Sequence, residues 1–488
     1  MLRVINILKL IRFLLVIVAK FVNSVWCYNS SMFKHQLSHI YLKKIKQQLP
    51  FLTIDLPAAE SVTVMFLANT GSRYEPVGKE GIAHFFEHMV FKGTANYPSA
   101  KILARTLDSV GADFNAFTSK EYTGYYVKSA ASNFDLALDV LSDMLFAPLL
   151  KQEDIDREKG VIIEELNMYV DTPQFHISNV FEELLFAKKS LAHDIIGNKD
   201  SIRSLSSADF QDFLNQFYGP ENLLLVVAGG LEKINRDPQI LADKVALVFN
   251  KLKNKRGQNQ KLAVPKAQQS RGAKLLAINK TAFSTRRFKL IKRRSEQAHF
   301  IMAWPALDLH HPDRFNLSVL STILGGNMSS RLFTEVREKR GLCYYVRSNL
   351  EYYHDCGYLG VSAGVDPSRL REAIQATKDV FYNLAKGLGQ TGESGIISAE
   401  ELLRAKNYLK GTTILNLEES NNVAQFYGFK QLLNDEILSP HEVLTKIDAV
   451  NIKDLKRLAK QIFQKDQCRF ALIGDFTNAK QIQQWLKE

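Results

Sequence analysis

His84-Phe85-Phe86-Glu87-His88 places two imidazoles at i and i+4 with a carboxylate between them. On an α-helix the two rings stand one turn apart on one face, close enough to reach a single zinc ion. Glu87 lies beside them as a base for a metal-activated water, which is hydrolytic chemistry. At roughly 100° per residue, His84, Glu87, His88 and Phe91 fall within one arc of about 100°. Ile82, Phe85, Phe86, Met89 and Val90 fall on the opposite side, where a core would want them. Lys92-Gly93 offers a C-terminal stop. Two histidines on a polar helix surface would give the same pattern, so a third ligand from another element has to decide.

Residues 152–170, QEDIDREKGVIIEELNMYV, read as an acidic amphipathic helix. Its apolar stripe takes Ile155, Val161, Ile162, Leu166 and Tyr169, and Glu158 and Glu165 lie inside that stripe, seven residues apart. Glu153, Asp156 and Glu164 lie away from it. A carboxylate aimed at a core is costly unless it is paired or bound to metal. This selects Glu158 and Glu165 over their neighbours, with a buried ion pair to Arg157 or another arginine as the competing explanation.

The elements that must hold these side chains alternate between strand and helix. SVTVMFLAN (61–69) alternates like a strand, and helices are expected near 80–92 and 99–110. Strands follow at 114–119 and 123–130, then helices near 132–146 and 152–170. Residues 206–230 give a capped helix, a Gly-Pro turn and a buried strand ending in Gly-Gly. Residues 450–475 repeat that ending with a helix, a polar turn and a strand reaching Gly474. The two endings imply an internal duplication in which only the first copy carries the histidines.

Composition sets limits on this picture. The chain has 488 residues, 46% hydrophobic and 23% charged, enough for more than one globular domain. Cys27, Cys343, Cys356 and Cys468 form no CxxC pair, which argues against a disulfide framework, a zinc ribbon or a thiol-redox site. The net charge of +12 is unevenly placed, with 15 basic and no acidic residues from Lys251 to Arg294 and 8 more unopposed before Asp55. The stretch from Asp55 to Asn250 is therefore acidic. The basic run mixes Gln, Asn, Gly and Pro and reads as a solvated linker rather than a nucleic-acid stripe. At the N-terminus, MLRVINILKLIRFLLVIVAKFVNSVW is apolar but interrupted by Lys9, Arg12 and Lys20. It has three readings: a signal or anchor, an organellar presequence, or an extension upstream of a true start at Met32. The compartment follows that choice: bacterial cytoplasm, a membrane surface held through residues 1–26, or the mitochondrial matrix.

H-x-x-E-H inverts the H-E-x-x-H zinc motif. Followed by Glu165, it resembles the pitrilysin-like (M16) zinc metallopeptidases, particularly the mitochondrial processing peptidase β-subunit group and its bacterial relatives. HFFEHMVFKGT, GADFNAFTSKEYTGYYV, REKGVIIEELNMYVDTP and LGGNMSSRLFTEVREKRGLCYYV (324–346) carry the likeness, which covers roughly residues 50–488. The resemblance implies an α+β fold of two homologous α/β-sandwich-type domains, the processing-peptidase/LuxS-like metallohydrolase fold, joined by a basic linker. The corresponding boundaries are an N-terminal segment 1–31, a zinc-site domain 32–250, a linker 251–275 and a second domain 276–488 without the motif.

The resemblance also implies roles. His84, His88 and Glu165 would bind one Zn2+ per chain and leave a position open for water, with Glu87 as general base and Glu158 orienting a ligand. Arg337 and Tyr344 would stabilise the oxyanion or hold the substrate backbone, with Tyr345 competing for the tyrosine's place. The strand Asn115-Ala116-Phe117 would pair with an extended substrate. Relatives close a chamber from four such units and this chain supplies two. That implies a homodimer, or a heterodimer with a related subunit. The acidic first half fits peptide substrates of basic character, and the linker-like basic run points to no nucleic-acid partner. The alternative within the same fold is a catalytically silent core-type structural subunit, against which the intact ligand set argues.

Overall fold

Runs such as LLLVVAG (223–229) and AHFIMAWPA (298–306) offer no polar face to water, so sheets built on them must be covered on both sides. The computed structural model describes residues 40–44, 49–234, 237–251, 278–387, 395–434 and 436–488. The N-terminal segment expected at 1–31 and, apart from Lys251, the linker expected at 251–275 lie outside the described residues.

The first sheet comprises β1 (Ile40–Lys44), β2 (Pro50–Asp55), β3 (Ser61–Ala68), β4 (Asp113–Thr118), β5 (Thr123–Ala130) and β6 (Leu223–Gly229). The second comprises β7 (Phe288–Lys292), β8 (Ala298–Ala306), β9 (Cys343–Tyr352), β10 (Gly357–Val365) and β11 (Arg469–Gly474). Their orders are β1-β2-β6-β3-β5-β4 and β7-β11-β8-β10-β9. In each, one pair is parallel, β2 with β6 and β7 with β11, and the other pairs are antiparallel. Without β1 the two sheets have one topology. This is the duplication read from the matching endings at 206–230 and 450–475.

The helices of the first half are α1 (Ile82–Met89), α2 (Ala100–Asp108), α3 (Phe134–Phe146), α4 (Gln152–Asp171), α5 (Pro173–Phe186), α6 (Lys199–Ser204), α7 (Ser207–Phe217) and α8 (Pro238–Lys251). Those of the second are α9 (Arg314–Gly325), α10 (Leu370–Lys386), α11 (Ala399–Asn416), α12 (Ser420–Asn434), α13 (Pro440–Asp448), α14 (Ile452–Ile462) and α15 (Ala479–Lys487). Among the described residues no helix is long and apolar enough to cross a membrane.

Each sheet covers one face with its own helices and the other with a helix from the opposite half. Val62, Val64 and Phe66 of β3 pack with Phe86, Leu141 and Phe213 of α1, α3 and α7. The reverse face, with Met65, Leu67, Leu224 and Val226, packs against Val423, Ala424 and Tyr427 of α12. Reciprocally, α5 places Ile177, Val180, Phe181 and Leu184 on Ile301, Ala303, Ala471 and Ile473 of the second sheet. At Gly428 of α12 a Cβ would lie 2.6 Å from a Leu67 methyl, so the helix and the sheet are in close contact there and any side chain would make Leu67 move. The sequence reading placed neither α5 nor α12. The sheet faces they cover belong to the opposite half, so local patterning does not show what they cover.

Polar groups lock the same junction. Arg73 pairs with buried Glu121 and, at 2.6 Å, with Asp355 of the second half. Glu121 also meets His354 at 3.1 Å. Buried Lys120 pairs with Glu182 of α5 at 3.0 Å, and Tyr353 donates its hydroxyl proton to Glu182 at 2.9 Å. A buried charge is tolerated when it is paired and hydrogen-bonded in this way.

Two details correct the sequence reading. Helix α1 ends at Met89, short of Lys92, and the chain turns away at Gly93, whose φ of +137° suits glycine. Val161, assigned to the apolar stripe of the helix at 152–170, is 52% exposed. It lies at the rim of the stripe, beyond the arc that Ile155, Ile162 and Leu166 bury.

Candidate metal centre and substrate edge

Helix α1 begins without a side-chain cap from its own N-cap residue, Gly81. Glu75 supplies the cap from a distance, accepting the N–H groups of Gly81 at 2.8 Å and Ala83 at 2.9 Å. These are among the donors that a helix N-terminus leaves unpaired, and a carboxylate is favoured there by the helix dipole. Gly81 has φ +94°, and a Cβ there would lie 2.1 Å from the Ile196 carbonyl oxygen. The start of the histidine helix is thus fixed one turn before His84. Burial raises the Glu75 carboxyl to about 8, against the lowering effect of the two N–H groups it accepts.

His84 and His88 come from α1 and Glu165 from α4, and one donor atom of each lies within 4.8 Å of the others. Glu165 Oε1 is 3.7 Å from His84 Nε2, and its Oε2 is 3.4 Å from His88 Nε2. His88 Nδ1 points the other way, 2.9 Å from Glu158 Oε1. The second Glu158 oxygen meets Lys92 Nζ at 2.5 Å. The buried-pair alternative for Glu158 is thus realised with His88 and Lys92. Arg157, the partner considered from sequence, pairs with Asp154. Glu164 is exposed and accepts only a weak contact from Asn167 at 3.4 Å.

The electrostatics suit a cation. Burial, and then the neighbouring His88, lower His84 to about 4, so its ring is neutral and can offer a lone pair. Burial also pushes His88 down, but Glu158 and Glu165 outweigh it and lift that ring to about 9. Two carboxylates that draw a proton onto His88 supply the negative charge a divalent ion would neutralise. Once His88 gives up that proton to a metal, two imidazole nitrogens and one carboxylate, with a hydrogen-bonded partner behind one ring, form a donor set that fits zinc.

Glu87 accepts a hydrogen bond from the Thr118 hydroxyl, with Oγ1 2.5 Å from Oε2. Burial raises the Glu87 carboxyl while Thr118 and His88 work against that shift.

Strand β4 forms the outer edge of the first sheet, which leaves one side of its backbone open. Phe114, Ala116 and Thr118 face the core and the histidine helix: the Phe114 ring lies 6.1 Å from that of Phe91, and Ala116 is buried in the same core. Asn115 is exposed, and its side-chain oxygen accepts the Ala116 N–H at 2.9 Å. Phe117 turns to the opposite face and packs on Phe429 of α12. The three residues expected to line the substrate therefore offer backbone rather than a shared side-chain face.

Arg337 and Tyr344 do come together, with the guanidinium 5.6 Å from the Tyr344 ring and 4.7 Å from that of Phe333. Tyr344 is the second residue of β9, the edge strand of the second sheet, and is 77% exposed. Its competitor Tyr345 is committed elsewhere, its hydroxyl 3.0 Å from His299 Nδ1. Among the described residues no hydrogen bond or ion pair joins Arg337 or Tyr344 to His84, His88 or Glu165.

Sequence reasoning missed Thr118, Glu75 and Lys92 as site residues. Period-two alternation through Phe114 and Ala116 could have placed Thr118 on the helix side of β4. Nothing local marks Glu75 as a helix cap.

Comparison with known proteins places the chain in a family. Residues 51–199 match the profile of the insulinase family, peptidase family M16, and residues 204–409 match that of the M16 inactive domain. A Streptomyces coelicolor protein named as a zinc protease is 33% identical over 429 residues, covering 88% of each chain. The chain belongs to peptidase family M16. A Bacillus subtilis M16 relative, named as the zinc protease YmxG, is 32% identical across 86% of this chain and 95% of its own. The two-domain M16 fold recurs in a crystal structure of a Helicobacter pylori protease, at a TM-score of 0.76 and 23% identity over 90% of this chain and 100% of that one. A Pseudomonas fluorescens structure described as an M16 inactive domain overlays at 0.74 and 18% identity, over 90% of this chain and 98% of its own.

Proposed function

We propose that this M16 protein is a zinc metalloendopeptidase that cleaves peptides held in extended form. The observation that carries this reading is the meeting of His84, His88 and Glu165 donor atoms within 4.8 Å of one another, with Glu87 on the same helix. The relatives named as zinc proteases support it. One zinc ion held by His84, His88 and Glu165 would supply a Lewis acid that polarises a peptide carbonyl and makes a water acidic near neutral pH. Glu87 takes the proton from the attacking water and returns it to the leaving amine. Glu158 holds the His88 Nδ1–H, so that Nε2 keeps its lone pair toward the site.

The open edge of β4 takes the substrate as an added strand through the backbone of Asn115, Ala116 and Phe117, a mode that asks little of side-chain identity. Arg337 and Tyr344, stacked on each other at the edge of the second sheet, provide an exposed donor pair for the developing oxyanion. In a homodimer these residues serve the partner's metal centre. The acidic stretch from Asp55 to Asn250 favours peptides of basic character.

The test is Glu87→Gln, assayed on a basic peptide with metal content measured alongside. Full zinc without activity is expected. Retained activity would remove Glu87 from the mechanism, and a wild-type protein that takes up no zinc would remove the site.

A further inference from the structure

Thr118 stands outside the histidine motif and outside the substrate edge, at the last position of β4. Its hydroxyl lies 2.5 Å from Glu87 Oε2, the range of a charge-assisted O–H···O⁻ bond. An ionised carboxylate can only accept, so the Thr118 proton is the one shared.

The end of the strand that carries the hydroxyl is held from several sides. The turn after Thr118 is tied back by the Ser72 N–H to the Ser119 carbonyl at 3.2 Å and the Arg73 N–H to the Lys120 carbonyl at 2.8 Å. A Cβ on Gly71 would lie 2.3 Å from the Ser119 oxygen, so these backbones are as close as glycine allows. Lys120 and Glu121 then enter the ion network at the junction, meeting Glu182 of α5 and His354 of the second half. Thr118 itself is β-branched and stiff about χ1. The second half of the chain thus anchors the turn that follows Thr118, through the contact of His354 with Glu121.

We infer that Thr118 is a positioning residue for Glu87, occupying Oε2 and leaving Oε1 as the oxygen that exchanges the proton. The inference rests on the peptidase reading above. As water oxygen bonds to the peptide carbonyl carbon, its proton passes to Oε1. As the C–N bond breaks, that proton passes to the amine nitrogen. Thr118 keeps its own proton throughout. A free glutamate side chain samples several rotamers, and a base held in one of them removes that entropy from the barrier. Because β4 also offers the substrate edge, one rigid strand sets both the register of the peptide and the aim of the base.

The experiment compares wild type, Thr118→Val, Thr118→Ser and Glu87→Gln as full-length, zinc-loaded protein on one basic peptide. Thr118→Val should lower kcat about ten- to a hundredfold with zinc content retained. KM should stay within about twofold, since substrate binding is not the contact removed. Thr118→Ser, which restores the hydroxyl, should recover most of the loss. A second readout needs no activity. In metal-free protein, Thr118→Val should lower the urea midpoint in the wild-type background but not beside Glu87→Ala. Near-wild-type kcat for Thr118→Val, a loss confined to KM or zinc content, a serine variant as poor as valine, or equal midpoint shifts in both backgrounds would each overturn the inference. An active Glu87→Gln would instead overturn the peptidase mechanism beneath it, and the inference with it.

Discussion

Glu158 grips His88 by the ring nitrogen that faces away from Glu165, Oε1 to Nδ1 at 2.9 Å, while Nε2 stays on the Glu165 side at 3.4 Å. In the proposed metal centre one glutamate on α4 would thus orient a ligand and another, two turns on, would complete the ligand set. The seven-residue spacing brings both to the same side of the helix.

That division of labour separates the two glutamates experimentally. Glu158→Gln keeps the size of the side chain but loses the charge opposite His88 and Lys92. Zinc affinity should fall about 10- to 100-fold, read by competition with a chelator, while stoichiometry at saturating metal stays at one per chain. Unchanged affinity would show that the His88 contact does no orienting.

Glu165→Gln should leave the protein folded and without retained zinc after dialysis. The neighbouring Glu164→Gln should keep both metal and activity, because Glu164 lies on the solvent side of α4. Metal analysis of the pair decides the ligand: the opposite outcome would put Glu164 in the site.

Glu75 gives a pH signature. Its carboxyl is raised to about 8 by burial, from 4.5 when exposed, despite the N–H groups of Gly81 and Ala83. The folded state therefore binds the proton more tightly than the unfolded one. The stabilising contribution is complete below about 4.5 and is lost as the pH rises through about 8. Glu75→Gln cannot titrate, so urea unfolding at pH 5 and pH 8.5 should show the variant gaining on wild type at the higher pH. A difference that stays constant with pH would place the titration elsewhere.

Arg337 and Tyr344 test the assembly. If they complete the partner's site, Arg337→Ala and Glu87→Gln homodimers should each be inactive, and mixing them with subunit exchange should restore activity. A mixed dimer then holds one site with an intact Glu87 facing an intact Arg337. No recovery after confirmed exchange would place the pair in the service of its own chain or outside catalysis. An active monomer would argue against the shared site.

Much of the metal centre was legible because a helix writes its geometry locally. His84, Glu87 and His88 share a face by their spacing alone, and the stripe through Ile155, Ile162 and Leu166 singled out Glu158 and Glu165 from their exposed neighbours. The strand at 114–119 was legible from its alternation, and the duplicated endings announced two similar sheets.

What a local period cannot carry is the identity of a distant partner. Val161 fitted the stripe of α4 yet lies in solvent, because the width of a buried face is set by what packs on it. Thr118 reaches Glu87 across 31 residues of sequence, and Lys120 and Glu121 are neutralised by groups on α5 and in the second half. Side-chain spacing along single elements was enough to group His84, Glu87 and His88 and to single out Glu158 and Glu165, and the repeated endings were enough to announce two similar sheets. The exchange of α5 and α12 between the sheets, the capping of the histidine helix by Glu75 and the contact of Thr118 with Glu87 emerge only from the folded chain. Those relationships exist only where separate elements meet, and the free energy of burying their shared surface, rather than any local preference, brings them together.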